Sequence, residues 1–484
     1  MNNMLPLEKI KNINTDLLGF FRFKKFDNET YLITNDAGKF EFLSISEFDM
    51  FISGDVKWLN KYTSLLNNGF IKDNNYIDRM TWSVALKNHF VWVGATLHMI
   101  IPTLRCNHKC KYCHAAVAPM SAIWYDMTEE TAKKSVDTIF FTNSQFLTIE
   151  FQGWEALVNY KIIQFIVEYA KKMAFHLKKE LSFALVTNLT LMTEDKLKWL
   201  LDNGVDICTS LDWDQVTHNN NRSWYKEWDS FEKVSYWIKR VDEEKQKRDM
   251  WKVGALLTVT KETLPKYKEI IDTYVELGLE WIFLRWLNPY GFAASDMETL
   301  AYDKDDWIDF YIKSLDYILE LNKKGTFFKE SITSVYLMKI FYARDPAFMD
   351  IRSPSGLAIG WVAYNHDGKI YASDESRMLW RMGDDSFLMS DWTGTWEENY
   401  KEMMNSDIIK ISVQSSTLDW LPWYNDHVYK PYLWVDIIHN YKTTGNIYNP
   451  IMTDEKVQLQ IAIIDHIFQK LKNPEDAKIL MSWI

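Results

Sequence analysis

Between residues 97 and 325, short apolar runs alternate with longer amphipathic stretches, and few folds accept that order. The candidate strands are 97–102, 146–151, 181–187, 206–211, 253–259 and 281–285. The spacing predicts helices over 128–141, 160–177, 193–203, 229–247, 263–277 and 304–323. Thr128 before Glu129 and Glu130, and Thr193 before Glu194 and Asp195, read as capped helix starts. Strict strand–helix alternation implies parallel strands joined by right-handed crossovers. Six such units give an α/β fold, a partial (β/α)6 TIM-like barrel over 89–328. Its functional site is expected at the C-terminal strand ends.

A cysteine triplet follows the first strand. The run Cys106-Asn-His-Lys-Cys110-Lys-Tyr112-Cys113 holds three of only 4 cysteines in 484 residues. Three thiolates on one loop suit three irons of a cubane iron–sulfur cluster and leave the fourth iron without a protein ligand. An electron-carrying cluster is normally ligated in full, so the vacancy points to a catalytic one. Zinc prefers four Cys or His ligands, most often paired C-x2-C units. Here only His108 and His114 are near enough to complete such a set, and a structural zinc site using one of them is the competing reading. A disulfide framework does not suit so long a chain with so few cysteines.

Flanking regions differ from the core. Residues 1–88 read as a small domain with short strands near 20–26, 31–34 and 40–43, then helices near 45–53 and 57–69. Residues 329–484 are an irregular α+β region with strands near 362–372, a Trp- and Tyr-rich loop at 417–440 and a helix near 455–472. A net charge of −11 argues against a nucleic-acid partner held by a basic surface. No apolar run reaches membrane-spanning length and the first residues lack a signal-peptide pattern, so a cytoplasmic, reducing location is expected. His98 on the first strand reads as a packing residue, and Cys208 in the fourth as a small buried hydrophobe.

With the triplet, Tyr112 and six βα units in place, the chain resembles the radical S-adenosylmethionine (SAM) superfamily. Phe151-Gln-Gly153-Trp154-Glu155 resembles that family's Gly-Gly-Glu segment after strand two, Thr187-Asn188 the end of strand three, and Ser210-Leu-Asp212, with His218 and Arg222 downstream, the segment after strand four. Over almost its whole length the chain is similar to the maturases of the His-Xaa-Ser peptide-modification system, through stretches such as Asn288-Pro-Tyr-Gly-Phe, Tyr371-Ala-Ser-Asp-Glu and Val428-Tyr-Lys-Pro-Tyr. Residues 1–88 are then similar to the winged-helix elements that bind leader peptides.

The resemblance implies one [4Fe–4S] cluster on Cys106, Cys110 and Cys113, with SAM chelated at the open iron. Electron transfer to SAM would give a 5′-deoxyadenosyl radical that abstracts hydrogen from a ribosomally made precursor peptide. An electron donor such as flavodoxin or ferredoxin is implied. Tyr112 would pack beside the adenine, and Gly153, Trp154 and Glu155 would receive the methionine ammonium, with Asn188 at the neighbouring strand end. Ser210 and Asp212 would meet the ribose, and Arg222 the carboxylate, which a guanidinium fork suits. Asp374 would be a general base, or with Ser373 would serve a structural turn. Two departures stand out. Ser373, Tyr424, His427 and Leu433 occupy positions where a C-terminal SPASM region would carry cluster cysteines, so no auxiliary cluster is expected. Trp154, Trp213, Trp423 and Trp434 stand where the family has Gly, and Trp286 where it has Pro. The chain has 22 Trp and 17 Gly. Either recoded codons have been read as Trp, or the chain has diverged and no longer binds SAM well; a non-catalytic peptide-binding protein on the same scaffold is the competing function.

Overall fold

The computed structural model describes residues 13–224, 229–343, 345–346 and 348–484, so the first twelve residues of the expected N-terminal domain lie outside it. Three antiparallel strands come first, β1 (Arg22–Lys25), β2 (Thr30–Thr34) and β3 (Phe40–Ser44), paired in that order. Ser44 and Glu47 form a reciprocal capping box at the start of the helix Ile45–Ser53, and Gly54 closes it in a left-handed conformation. Phe48, Phe51, Leu65 and Phe70 fill a core of their own beneath this sheet. The helix expected over 57–69 is broken. A 3₁₀ turn at Val56–Trp58 ends at Leu59, whose backbone is extended, and the helix Tyr62–Asn67 starts afresh.

The alternating region forms the strands β4 (Leu97–Ile100), β6 (Phe146–Phe151), β7 (Glu180–Val186), β8 (Val205–Ser210), β10 (Gly254–Thr258) and β11 (Trp281–Arg285). Each is parallel to the next, in the expected order. The helix Tyr160–Leu177 shows why the crossovers pack: Ile162, Ile163, Ile166, Val167, Ala170 and Ala174 make one buried stripe at three- and four-residue spacing. Burying each of the larger side chains contributes roughly 1.5–3 kcal/mol. Thr128 and Thr193 cap their helices, accepting from the backbone N–H groups of Thr131 and Lys196.

The sheet continues beyond the six expected strands. β12 (Lys329–Glu330) adds in parallel to β11, and β13 (Trp361–Tyr364) adds in parallel to β4 on the opposite side. β14 (Ile370–Tyr371) and β15 (Leu388–Ser390) complete that edge as antiparallel strands. The strands assigned to a separate C-terminal region are therefore part of the barrel sheet. His98 is buried between β4 and β13, with Nδ1 3.3 Å from the Tyr364 hydroxyl and Nε2 3.2 Å from the Ala95 carbonyl. Among the described residues no helix is long and apolar enough to cross a membrane.

Candidate functional site

The C-terminal strand ends converge on one cavity. Gly153 after β6, Thr187 and Asn188 after β7, Ser210 ending β8, Thr258 ending β10 and Arg285 ending β11 all line it. The loop after β4 supplies Cys106, Cys110 and Cys113 to the same space, which measures about 980 Å³, part of it open solvent. A short antiparallel ribbon, β5 (His108–Cys110) with β9 (Arg222–Trp224), fixes the cysteine loop and sets Arg222 opposite Cys110. The Cys113 carbonyl accepts from Phe292 N at 2.8 Å, tying the loop to the segment after β11.

The thiol environment fits a cubane cluster. The Cys106 sulfur accepts from His108 N at 3.3 Å and lies 3.9 Å from Asn188 Nδ2, donors suited to a thiolate. Burial holds the free thiols of all three cysteines above their ordinary range, Cys110 up to about 12, so metal binding would supply the charge that favours deprotonation. Zinc at about 2.3 Å from each sulfur needs ligands within roughly 4 Å of one another. Among the described residues no three His, Cys, Asp or Glu side chains gather around such a point.

The expected SAM ligands separate into two layers. Tyr112, Gly153, Trp154, Asn188, Ser210 and Arg222 line the cavity. The Glu155 carboxylate is instead engaged by protein: it accepts from Leu157 N at 3.1 Å, Thr187 Oγ1 at 2.7 Å and Asn188 N at 2.8 Å. It thereby orders the strand ends that hold Asn188 beside Cys106. Asp212 is likewise buried, accepting from the Tyr112 hydroxyl at 2.7 Å and lying 3.6 Å from Arg222 Nε. His218 Nδ1 accepts from Asp212 N at 3.2 Å and holds this turn. Arg222 sits over the Tyr112 ring at 5.3 Å, so it pairs with Asp212 and an aromatic face before any ligand arrives.

Asp374 lines the cavity, but its carboxylate is paired with Arg377 one helical turn later, at 3.0 Å from Nε. A general-base role for Asp374 would require this ion pair to part. The Arg377 guanidinium in turn covers the Trp154 indole at 4.3 Å. Sequence reasoning missed Arg377, although its i+3 spacing from Asp374 on a helix was visible, and it missed Arg285 at the end of β11. Ser373, Tyr424 and His427 are used structurally: Ser373 caps the helix Asp374–Arg381, the Tyr424 hydroxyl donates to Asn449 O at 3.0 Å, and His427 Nδ1 accepts from Tyr429 N at 3.2 Å. Leu433 is fully buried. Cys208 is half-buried in β8 rather than buried.

At the five positions where Gly or Pro was expected and Trp stands, the backbone is not left-handed, so no φ there demands glycine. Gly153 is different. Its φ is +132°, and an added Cβ would lie 2.9 Å from the Thr103 carbonyl oxygen. Gly153→Ala is expected to cost about 1–3 kcal/mol and to weaken SAM binding, read by thermal unfolding and calorimetric titration. Unchanged values in both would show that this turn adapts.

Residues 100–212 match the family model for the radical SAM superfamily. The chain carries a radical SAM domain. An uncharacterized protein of Methanocaldococcus jannaschii is 28% identical over 206 residues, 41% of this chain and 65% of that protein, so the chain spans just under two thirds of that relative. An uncharacterized protein of Methanothermobacter thermautotrophicus is 24% identical over 224 residues, 46% of this chain and 79% of that protein. The solved structure of anSMEcpe with bound AdoMet and Cp18Cys peptide superposes with a TM-score of 0.62 at 17% identity, covering 79% of this chain and 99% of that one. That likeness shows a fold shared over most of the chain, beyond the segment the family model matches.

Proposed function

We propose that the protein is a radical SAM enzyme that modifies a ribosomally made peptide, with the His-Xaa-Ser type as the substrate class suggested by the sequence resemblance. The observation that carries this reading is the meeting of three cysteines from one loop with the ends of successive parallel strands in one cavity. The bound peptide and AdoMet named for anSMEcpe, which shares the fold, support it. One [4Fe–4S] cluster held by Cys106, Cys110 and Cys113 would supply an electron for reductive SAM cleavage and so the means of hydrogen abstraction.

The chain's own residues bind and orient. Gly153 lets the backbone approach the methionine end, Asn188 and Ser210 present polar groups at neighbouring strand ends, and Tyr112 offers a ring braced by Asp212 and Arg222. Residues 13–88 form a unit suited to holding a leader peptide. A cytoplasmic setting and a flavodoxin or ferredoxin donor complete the reading. Anaerobic reconstitution with iron and sulfide, then dithionite and SAM, is expected to yield 5′-deoxyadenosine by mass spectrometry. An iron-loaded protein that forms none would overturn the enzyme reading.

One observation favours a non-catalytic peptide-binding protein. The Trp154 indole lies at the cavity wall under Arg377, with its Nε1 buried and unpartnered among the described residues. If this ring occupies space that SAM needs, Trp154→Gly is expected to tighten SAM binding about tenfold or more in a calorimetric titration. Peptide binding retained without SAM binding in either form would support the second reading.

A further inference from the structure

Beside the cysteine cavity lies a second one of about 1000 Å³, part of it open solvent, walled by Trp286, Trp307, Tyr336, Trp361, Trp434 and Leu459. The two share a wall. Arg285 lines both, and the helix Asp374–Arg381 begins between them, with Asp374 facing the cysteine cavity and Glu375 the aromatic one. Any molecule filling the second cavity therefore lies next to the radical site.

The charges around this cavity do not balance. Asp350, Glu375 and Asp436 line it against Arg285 and Lys456. Lys456 is already committed to Asp436, with Nζ 2.6 Å from the carboxylate. Asp374, close enough to act on Glu375, is committed to Arg377. His439, the imidazole beside Asp436, is held neutral by burial. Arg285 alone is left for Glu375 and for Asp350 at the exposed rim, so the lining carries one carboxylate more than it has cations. Burial, with the carboxylates of Asp350, Asp436 and Asp374 around it, pushes Glu375 up to about 8. Two further groups are unsatisfied among the described residues. Asn288 is 8% exposed and lines the cavity with no partner for its side-chain oxygen, an acceptor. Trp307 is 4% exposed and lines it with no partner for its indole N–H, a donor. Buried groups of this kind are costly to leave unpaired.

We propose that this cavity receives a cationic side chain of the substrate peptide, an alkyl ammonium or guanidinium. Its charge pairs with Asp350 and Glu375, and its hydrocarbon stem lies along the aromatic wall. The inference rests on the peptide-modifying reading above and adds a substrate class to it. The Asn288 oxygen accepts from the cationic head, Trp307 Nε1 donates to a peptide carbonyl, and the indoles add cation–π attraction. An anionic side chain would meet a surplus of carboxylates.

The test uses the reconstituted protein and four blocked amino acids: N-acetyl-lysine and N-acetyl-arginine methylamides, and their neutral counterparts from norleucine and citrulline. Binding is read by tryptophan fluorescence or calorimetry, with no SAM present. The cationic pair is expected to bind saturably and at least about tenfold more tightly than the neutral pair. Glu375→Gln and Asp350→Asn are each expected to remove most of that preference. Equal binding of all four, or no saturable binding by any, would overturn the proposal, and because the ligand is varied on the unaltered protein this outcome does not depend on the variants folding. The two readings fail separately. Absence of 5′-deoxyadenosine with the cationic preference intact sinks the enzyme reading alone, while 5′-deoxyadenosine formed without the preference sinks this one alone.

Discussion

Cys106→Ala is expected to abolish cluster loading and to reduce 5′-deoxyadenosine formation by at least about 10³-fold, a barrier increase of roughly 4 kcal/mol. Cys106 is the most enclosed of the three loop cysteines, 4% exposed, and its sulfur has hydrogen-bond donors on two sides. Without it only two thiols remain, too few to hold a cubane on the loop. The measurements are iron content, visible absorption of the reconstituted protein and product by mass spectrometry. Iron content unchanged in Cys106→Ala would mean that metal binds elsewhere.

Arg222→Ala is expected to be the most destabilising single change near the site, at about 3–5 kcal/mol, because it leaves the fully buried Asp212 carboxylate without its cation. Tyr112 and the surrounding turn would still donate to Asp212, but neither brings charge. The deficit has a pH signature. Burial already raises Asp212, and Arg222 opposes that rise. With Arg222 gone, the folded-state pKa climbs further above its unfolded value. An acid raised in this way costs stability as pH increases through the window between the two values, so the deficit should be greatest near neutrality and shrink towards pH ~4. Denaturant midpoints at the two pH values test this, and Asp212→Asn added to Arg222→Ala should recover part of the loss. A deficit independent of pH would show that Arg222 acts by packing alone.

The alternating core was legible in the sequence because parallel strands covered on both faces read as short continuous apolar runs, and because Thr128 and Thr193 mark helix starts chemically. The cysteine loop was legible for a similar reason, since its ligands are neighbours in the chain. What stayed hidden depends on contacts between distant segments. Glu155 and Asp212 sit at the expected strand ends, yet their carboxylates turn to Thr187 and Asn188 and to Tyr112 and Arg222. A motif fixes the position of such a residue and leaves the direction of its side chain to partners elsewhere. Asp374 shows the same limit, because Arg377 claims it. The aromatic cavity draws on β11, the segment around Asp350, the start of one helix and residues 434–463, and no single stretch of sequence announces it.

The pairing of β13 with β4 bears on when the cysteine loop can take its final shape. β4 leads directly into the cysteine loop, and one of its two sheet neighbours is β13, with Tyr364 meeting His98 across 266 residues of chain. Such a pairing raises contact order and slows folding. During synthesis at about 5–20 residues per second, the cysteines emerge well before the strand that flanks their loop, leaving on the order of tens of seconds in which they lack their final support. On the reading proposed above, cluster delivery is best timed after the C-terminal half has been made, and truncations behind β11 should yield thiols that are present but not held in place.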